Sequence, residues 1–571
     1  MTRGARTAPL CLLLLIAAPA EAAARGEVSA LVTFRGGVDL RALSSTKGPR
    51  RDRRARLVEA LRARADASQG RARALLRRRG ARRVTPLWIT NSLAVTARPD
   101  VIAALAQLHE VERVEHDARL SLPPRGDAEA TSPWNLDVIG APALWRDGIT
   151  GAGVVVASVD TGADLQHPDL AARWRGGANS WLDTTGEHDE PHDGHGHGTQ
   201  TLGLMVGGDA SGAPLGVAPG ARWIAAKVYD QSGQAALNDV QLALQWLLDP
   251  DGEPATDDAP DVVNASWGFT EAANGCLPDL EEAIAALRAA DIVVVVSAGN
   301  AGPLPLSSLS PANYEGVLSV GAVDETARVA AFSSRGPSAC TGGIYPSVVA
   351  PGVGVRTADL SFGGVIPEPY AFVTGTSFAS AQVAGAAALL RGAFPGATAA
   401  AVEDALAAAA VDLSPPGADV AAGYGLVDVN GARVLLEAGV SCPDDDDDGF
   451  RTAPCGSPAD CDDGDPTVHP GSDERPRDDV DQDCNGYDLT LALVGASYRP
   501  ARHAVRLEAT SALGDGARLE VRGHGPMRWD PSRARWRALV PVPDEIPEAL
   551  VLAGLEGELS LPVRATLSRS P

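Results

Sequence analysis

Ser377 stands in GTSFASAQVAGAAALL, Gly375 to Leu390, where an extended stretch turns into a helix rich in small residues. A hydroxyl at the start of a helix meets free backbone N–H groups and the positive end of the helix dipole. That setting suits a nucleophile whose reaction makes a negative oxygen. At neutral pH a serine hydroxyl is a poor nucleophile and needs a base to take its proton. His197, in GHGHGTQTLGLMVGG, is the candidate base. Its imidazole needs a carboxylate to fix the tautomer and stabilise the charged form. Asp160, closing GVVVASVD, is placed for that. Asn300 ends DIVVVVSAGN and can aim an amide N–H at a developing oxyanion. Together these residues suit nucleophilic attack by a serine in a reaction that makes a negative oxygen.

Taken singly, each has an ordinary reading. A serine at a helix start is a cap, and an Asp or Asn after a strand is a turn residue. What separates them from that background is their order, Asp, His, Asn, Ser, each in a fitting context.

The elements that must position these residues lie between about Trp134 and Gly439. GVVVASVD, RWIAAKVYD, DVVNASWG, DIVVVVSAGN and GVLSVGAVD are continuous apolar runs, which predict parallel strands covered on both faces. Helical stretches such as LNDVQLALQWLL and LEEAIAALRAA fall between them. The expected fold class is α/β, a doubly wound, mostly parallel sheet whose functional groups sit at the strands' carboxyl ends. Ahead of it, residues 27–37, 84–97 and VERVEHDARLSL read as strands, and 52–78 and 99–109 as helices. They form a small α+β module ending in the linker PPRGDAEATSP. Residues 441–488 read as a short acidic, Cys-containing module, and 489–571 as a small all-β domain.

At 571 residues the chain exceeds one ordinary core. Apolar residues make up 45% and aromatic residues only 4%, as in a soluble protein packed on Val, Leu and Ala. Residues 1–24 carry Arg3 and Arg6, the run LCLLLLIAA and a small-residue end, which reads as a secretory signal peptide rather than a buried helix. The run is too short to span a bilayer, and no other stretch is a candidate membrane span. Removing it leaves six of the seven cysteines, an even number that permits disulfides. Cys276 and Cys340 fall in the central domain, and Cys442, Cys455, Cys461 and Cys484 cluster later; pairing within each group is the simplest expectation. The net charge is −24, yet residues 25–128 hold 22 Lys/Arg against 11 Asp/Glu. The basic run from Arg50 to Arg83 admits a nucleic-acid reading, a solvated helix face, or docking on the chain's own acidic body. Its interleaved Ala and Leu favour the latter two, so no nucleic-acid partner is expected.

Around the chemistry-bearing residues, SVDTGADLQHPDL, DGHGHGTQTLG, VVVVSAGN and GTSFASAQVAG resemble the motifs of subtilisin-like serine proteases (subtilases), over roughly residues 134–438. The resemblance implies Asp160, His197 and Ser377 as the triad, with Asn300 and the Ser377 N–H as the oxyanion hole. It further implies Ser266, Trp267 and Gly268, in VVNASWG, as a wall where substrate pairs as an added strand. Residues 27–122 resemble the family's inhibitory propeptide, removed by self-cleavage between about Arg119 and Thr131. Expected domains are therefore signal 1–24, propeptide 25–128, catalytic domain 129–440, acidic module 441–488 and β domain 489–571. The function implied is a secreted serine endopeptidase acting on ordinary secreted proteins. Its rivals are a narrow-specificity processing protease and a catalytically silent binding module. The chain departs from the family at Ala381-Gln382, where Pro-His is common, and at Gln200, where a second His is common. Trp267 replaces a smaller aliphatic residue and is expected to reshape the pocket.

Two further readings concern metals. His188, His192, His195 and His197 admit a zinc loop, which would leave Asp160 and Ser377 idle. Asp444, Asp446 and Asp448 before Gly449, and Asp481, Asp483 and Asn485 before Gly486, set hard oxygens at alternate positions before a glycine, which suits structural Ca²⁺. Neither carries the acidic twelfth residue of an EF-hand. The insert resembles acidic, Cys-containing metal-binding motifs of bacterial surface proteins, with one cysteine replaced near Pro476. The alternative is a solvated linker stapled by disulfides.

Overall fold

The computed structural model describes residues 26–122, 126–127, 134–270, 273–413 and 417–439. Beyond these it describes 462, 464–469, 472, 482, 492–499, 504–511, 517–522, 524–541, 549–554 and 557–562. The chain divides into two units, Met1–Ser441 and Cys442–Pro571.

In the first unit, the leading module forms β1 (Val28–Phe34), α1 (Arg50–Arg79), β2 (Arg83–Leu87), β3 (Ser92–Ala97), α2 (Pro99–Leu105) and β4 (Val111–His116). The strands make an antiparallel sheet in the order β2-β3-β1-β4. The stretch 84–97, expected as one strand, is a hairpin. Asn91 takes a positive φ of 48° at the turn, where its side chain donates to the Phe34 carbonyl. Apolar residues of α1 and the sheet, among them Leu76, Val32 and Val95, close a small core. Two short strands follow, β5 (Arg119–Ser121) and β6 (Gly126–Asp127).

The body is built on a seven-stranded sheet. Its members are β7 (Val155–Asp160), β8 (Trp181–Asp183), β9 (Arg222–Lys227), β11 (Val262–Ala265), β12 (Val293–Ser297), β13 (Leu318–Val323) and β14 (Val348–Pro351). The short β10 (Gln234–Ala236) pairs outside it, with β5. The order is β14-β13-β12-β11-β7-β9-β8, and the strand pairs are parallel. Strands such as Val293–Ser297 are buried along their whole length, which is why they read as unbroken apolar runs. The helices around the sheet include α3 (His197–Val206), α4 (Leu237–Leu248) and α5 (Glu281–Ala289). After them come β15 (Val355–Ala358), β16 (Tyr370–Thr374) and α6 (Thr376–Ala393). Helix α6 is buried from Thr376 to Arg391, because Ala and Gly let it run through the core against α3 and the central strands. β7 is the first strand of this sheet; β9 and then β8 lie on one side of it, and β11 to β14 run outward in order on the other. The order therefore reverses beside β7, where open α/β sheets carry their sites. Cys276 and Cys340 form a disulfide.

In the second unit, residues 492–499, 504–510, 535–541 and 528–530 form one antiparallel sheet, and 525–526, 520–521, 549–554 and 557–562 another. Val505, Leu507, Trp536 and Leu552 belong to their core. This C-terminal region is strand-rich, in keeping with its weak alternation. Residues 1–25, the cysteines at 442, 455, 461 and 484, and Asp444, Asp446, Asp448, Asp481, Asp483 and Asn485 lie outside the described residues. Among the described residues no helix is long and apolar enough to cross a membrane.

Candidate active site

Asp160 ends β7 with its carboxylate buried. The backbone N–H of Thr161 donates to its Oδ1 at 2.7 Å. His197 opens α3, and its Nδ1 lies 2.8 Å from Asp160 Oδ1 and 3.0 Å from Oδ2. An imidazole so held keeps its proton on Nδ1 and leaves Nε2 as a base. Glycine fixes this approach. A Cβ on Gly198 would stand 2.2 Å from the Gly162 carbonyl oxygen, and one on Gly162, at φ +123°, would stand 1.9 Å from that of His192. The turn after Asp160 and the first turn of α3 thus interlock, and Thr161 Oγ1 accepts from Gly198 N at 2.9 Å.

Asp193 holds the other side of the α3 N-terminus. Its buried carboxylate accepts from the backbone N–H groups of His195, Gly196 and Thr199 and from the Thr199 hydroxyl. Burial by itself would raise its pKa, but these hydrogen bonds hold it below the ordinary value. The sequence reading did not single out Asp193; the signal was an Asp three and six residues before backbone donors at a helix start.

Ser377 is the second residue of α6, and the Phe378 ring lies 5.5 Å, centroid to centroid, from that of His197. The Ser377 hydroxyl donates to the Ser266 carbonyl at 3.1 Å. That hydrogen bond, not one to His197, is the one made here; apo-like geometries of this kind tighten on the reaction path. Ser266 also donates through Oγ to the Ser377 carbonyl at 2.9 Å and meets Ser380 Oγ at 3.0 Å. Asn300 follows β12 by three residues. Its Oδ1 accepts from Thr376 N at 3.1 Å and Thr376 Oγ1 at 2.9 Å. With the carbonyl end so pinned, the Nδ2 donor is left over for a ligand. Thr376, which the sequence reading missed, thereby sets the asparagine's direction.

The remaining expected residues fall nearby in sequence and space, with one adjustment. Trp267 is buried, and its indole Nε1 donates to the Val159 carbonyl at 2.8 Å. Its bulk props β7 from within the core that also holds Leu120 and Ala235. Gly268 has room for no large side chain, since a Cβ would stand 3.1 Å from the Ser310 carbonyl. Gln382, in place of the family's histidine, is buried and accepts from Asn135 Nδ2 at 2.9 Å. Gln200 donates to Asp359 Oδ1 at 3.1 Å. Neither of these bonds involves Asp160 or His197.

The histidine loop does not gather as a zinc site. His188 and His192 stack at 3.9 Å, and His197 is engaged with Asp160. Burial, with His188 next to it, holds the His192 pKa below its usual value. Among the described residues the one cluster spaced to hold a metal is Asp249, Asp251 and Asp258, far along the chain from this loop.

The leading module lies directly on the body. β5 pairs antiparallel with β10, Arg119 to Ala236 through Ser121 to Gln234, and Leu122 N donates to the Gly233 carbonyl at 3.1 Å. β6 pairs antiparallel with β16, Gly126 opposite Thr374 and Asp127 opposite Val373. Asp117 caps α4, accepting from Asn238 N at 3.1 Å. Burial raises the Asp117 and Glu115 pKa values, and pushes Asp239 up to about 6 in spite of the Arg83 guanidinium beside it. The α1 arginines divide between two surfaces. Arg54 is buried, donating to the carbonyls of Ala290 (2.8 Å), Pro260 (3.0 Å) and Ala259 (3.3 Å) and pairing with Asp257. Burial lowers its pKa to about 10, so it stays charged at neutral pH. Arg62 and Arg64 pair with Asp249 and Glu282, whereas Arg51 and Arg71 face solvent. Leu304 and Leu306, which follow Asn300, and Phe362 and Val365, which precede β16, are exposed.

A doubly wound sheet with a buried carboxylate–imidazole pair at its carboxyl edge, and a serine at a helix start whose hydroxyl meets the Ser266 carbonyl, suits a serine hydrolase. Comparison with known proteins narrows this. The model of the subtilase family matches residues 151–425. Subtilisin BL of Lederbergia lenta is 35% identical over 259 residues, 45% of this chain and 84% of that protein. The alkaline protease of Alkalihalobacillus alcalophilus is 33% identical over 299 residues, 52% of this chain and 68% of that protein. Bacillopeptidase F of Bacillus subtilis (strain 168) is 34% identical over 379 residues, 60% of this chain but only 25% of that protein's length. The chain belongs to the subtilase family of serine endopeptidases. A second model, for a metal-binding motif, matches residues 460–488, which include Asp481, Asp483 and Asn485.

Proposed function

We propose that this chain is a secreted endopeptidase that hydrolyses peptide bonds through Asp160, His197 and Ser377, after first cutting its own leading module away. The observation that carries the reading is the buried Asp160–His197 bond at 2.8 Å, with Ser377 at the adjacent helix start. The Ser377 hydroxyl turns from the Ser266 carbonyl to His197 Nε2, gives up its proton and attacks the peptide carbonyl. The oxyanion is received by Asn300 Nδ2 and the Ser377 N–H, and His197 returns the proton to the leaving amine. Asp160 holds the imidazole throughout. Substrate binds as an added antiparallel strand, with Ser266–Gly268 on one side and β10 on the other. The leading module, residues 25–128, acts as inhibitor and folding partner before its release. Proteins outside the cell are the substrates.

The oxygen donors Asp444, Asp446, Asp448, Asp481, Asp483 and Asn485 are hard ligands that fit Ca²⁺. Bound there, the ion would stiffen the acidic module and take no part in the chemistry.

The test compares wild type with Ser377→Ala. Wild type should label with a serine-reactive fluorophosphonate and digest casein, and the variant should do neither. A wild type that fails to label would make the chain a silent binding module. Labelling with no casein digestion would instead make it a narrow processing enzyme.

A further inference from the structure

Arg54 is the one arginine of α1 that is fully buried, and every group it meets belongs to the body. Its Nε donates to the Ala290 carbonyl, Nη2 to that of Pro260, and Nη1 to that of Ala259 and to Asp257 Oδ1. Four of the five N–H donors of a guanidinium are thus used by three backbone carbonyls and one carboxylate. An ammonium sets its donors around a single point and cannot reach acceptors spread along a planar fork, so the cage selects arginine over lysine.

The frame of this cage is made of bonds within the body. Asp261, next to Pro260, donates its N–H to the Val155 carbonyl at 2.8 Å and accepts from Val155 N through Oδ2 at 2.9 Å; its carbonyl accepts from Val293 N at 3.0 Å. Ala290 N donates to the Ala286 carbonyl at 3.0 Å, and Asp291 Oδ1 accepts from Ala399 N at 2.6 Å. None of these bonds comes from the leading module, so the acceptors keep their places without Arg54. Removing Arg54 takes the donors from three carbonyls at once, and a buried carbonyl without a donor is costly. Two carboxylates flank the cage. Arg50 lies 2.7 Å from Asp261 Oδ1, and Arg53 lies 3.6 Å from Asp291 Oδ2. Residues 259 and 260 lead into β11 and residue 290 into β12, so the cage lies at the amino-terminal edge of the sheet. Asp160 ends β7, which runs parallel to β11, at the opposite edge.

Resting on the reading that the leading module is released, we propose that the cage of Ala259, Pro260, Ala290 and Asp257 then docks an arginine side chain of another molecule, away from the peptidase groove. With Asp261 and Asp291 beside it, the partner it fits is a basic peptide segment with further arginines within one helical turn of the docked one.

The test has two arms. In the first, Ser377→Ala keeps the full chain uncut, and Arg54→Ala is added to empty the cage. The melting temperature should fall, and guanidinium chloride at millimolar, non-denaturing concentration should restore at least half of the loss, whereas methylammonium should restore none. Adding Asp257→Asn should weaken that rescue. In the second arm, wild type is allowed to process, blocked at Ser377 with fluorophosphonate and separated from its module by gel filtration. By calorimetry it should bind L-arginine at least about tenfold more tightly than L-lysine. A blocked peptide with the sequence of residues 50–56 should bind more tightly still. Absence of rescue, or equal rescue by methylammonium, overturns the cage. Rescue without binding to the processed chain overturns the docking, because the cage then exists only under the module. A peptide that binds no tighter than L-arginine overturns the basic-segment partner. L-arginine that competes with a small peptide substrate of unblocked enzyme places the ligand in the groove and overturns the assignment. Wild type that stays uncut overturns the peptidase reading on which the docking rests, while the full-chain arm still decides the cage.

Discussion

Replacing Asn300 by alanine separates chemistry from architecture. In the structure, Thr376 occupies the Asn300 carbonyl with two donors, at 2.9 and 3.1 Å, and leaves the amide N–H group unassigned. If that N–H receives the oxyanion, Asn300→Ala removes about 3–4 kcal/mol of transition-state stabilisation, roughly a 10²–10³-fold loss in rate. Thr376→Val should act only through the asparagine. It deletes the hydroxyl bond to Asn300 Oδ1 and the acceptor for Gly299 N (3.1 Å), but keeps the Thr376 backbone donor. About 1 kcal/mol of that loss should reach the barrier, or roughly fivefold. If the chain cuts its own leading module away as proposed, that cut within one molecule has a first-order rate that reads the barrier without a binding step. Both singles and the double variant are refolded, and the uncut band is followed on gels. Thr376→Val should add nothing in the Asn300→Ala background, because the group it orients is gone. A full fivefold loss there would refute the positioning role. An Asn300→Ala rate within threefold of wild type would refute the oxyanion assignment.

Other outcomes follow from the same coordinates. Gly198→Ala and Gly162→Ala each force a Cβ into a backbone carbonyl, so each should cost at least about 1–3 kcal/mol and most of the activity, measured as melting temperature and peptide turnover. Docking of the leading module should weaken as pH rises. The Asp239 pKa, about 6 when buried against the module, lies above its free value near 3.8, so its favourable contribution is complete below about 4 and is lost as pH passes through 6. Gel filtration of processed chain at pH 5 and 7.5 should show retention at the lower pH and release at the higher. Reducing Cys276–Cys340, which closes a sequence separation of 64 residues, should remove about 4 kcal/mol on the chain-entropy estimate, seen as a fall in melting temperature with reductant. Asp446→Asn with Asp483→Asn should abolish Ca²⁺ uptake by titration calorimetry while leaving peptidase rates unchanged; tighter binding of Cu²⁺ than of Ca²⁺ would refute the ion's assignment.

The parallel sheet was legible because every strand that carries a site residue is covered on both faces, and a continuous Val-rich run bounded by turn residues fits little else. The four candidate residues stood out because each lies at or near the end of an element in a distinctive local context: Asp160 ends β7, His197 opens α3, Ser377 is second in α6, and Asn300 follows β12 by three residues. What was not legible was whatever depends on pairing between distant positions. Nothing local marks Gly126-Asp127 as a strand; its partner, β16, lies some 240 residues away. The Trp88–Asn91 turn is masked in the sequence because Ile89 and Thr90 favour strands, and only Asn91 signals the reversal. Arg54 could not be told from Arg51 by composition, though one is buried against three carbonyls and the other faces water. Trp267 reads in the sequence as part of a pocket wall, and the structure assigns its ring to the support of β7 through a bond to Val159.

The close seating of Gly162 against Gly198 has an evolutionary corollary. Neither position tolerates a larger neighbour, so mutation cannot explore the turn and the helix one step at a time. The exposed Leu304, Leu306, Phe362 and Val365, by contrast, can vary without disturbing that contact. Sequence change is therefore expected to accumulate in such exposed loops, while the glycine contact stays fixed. A library diversified there and frozen at the glycines would retain turnover in far more of its members than one randomised around the histidine.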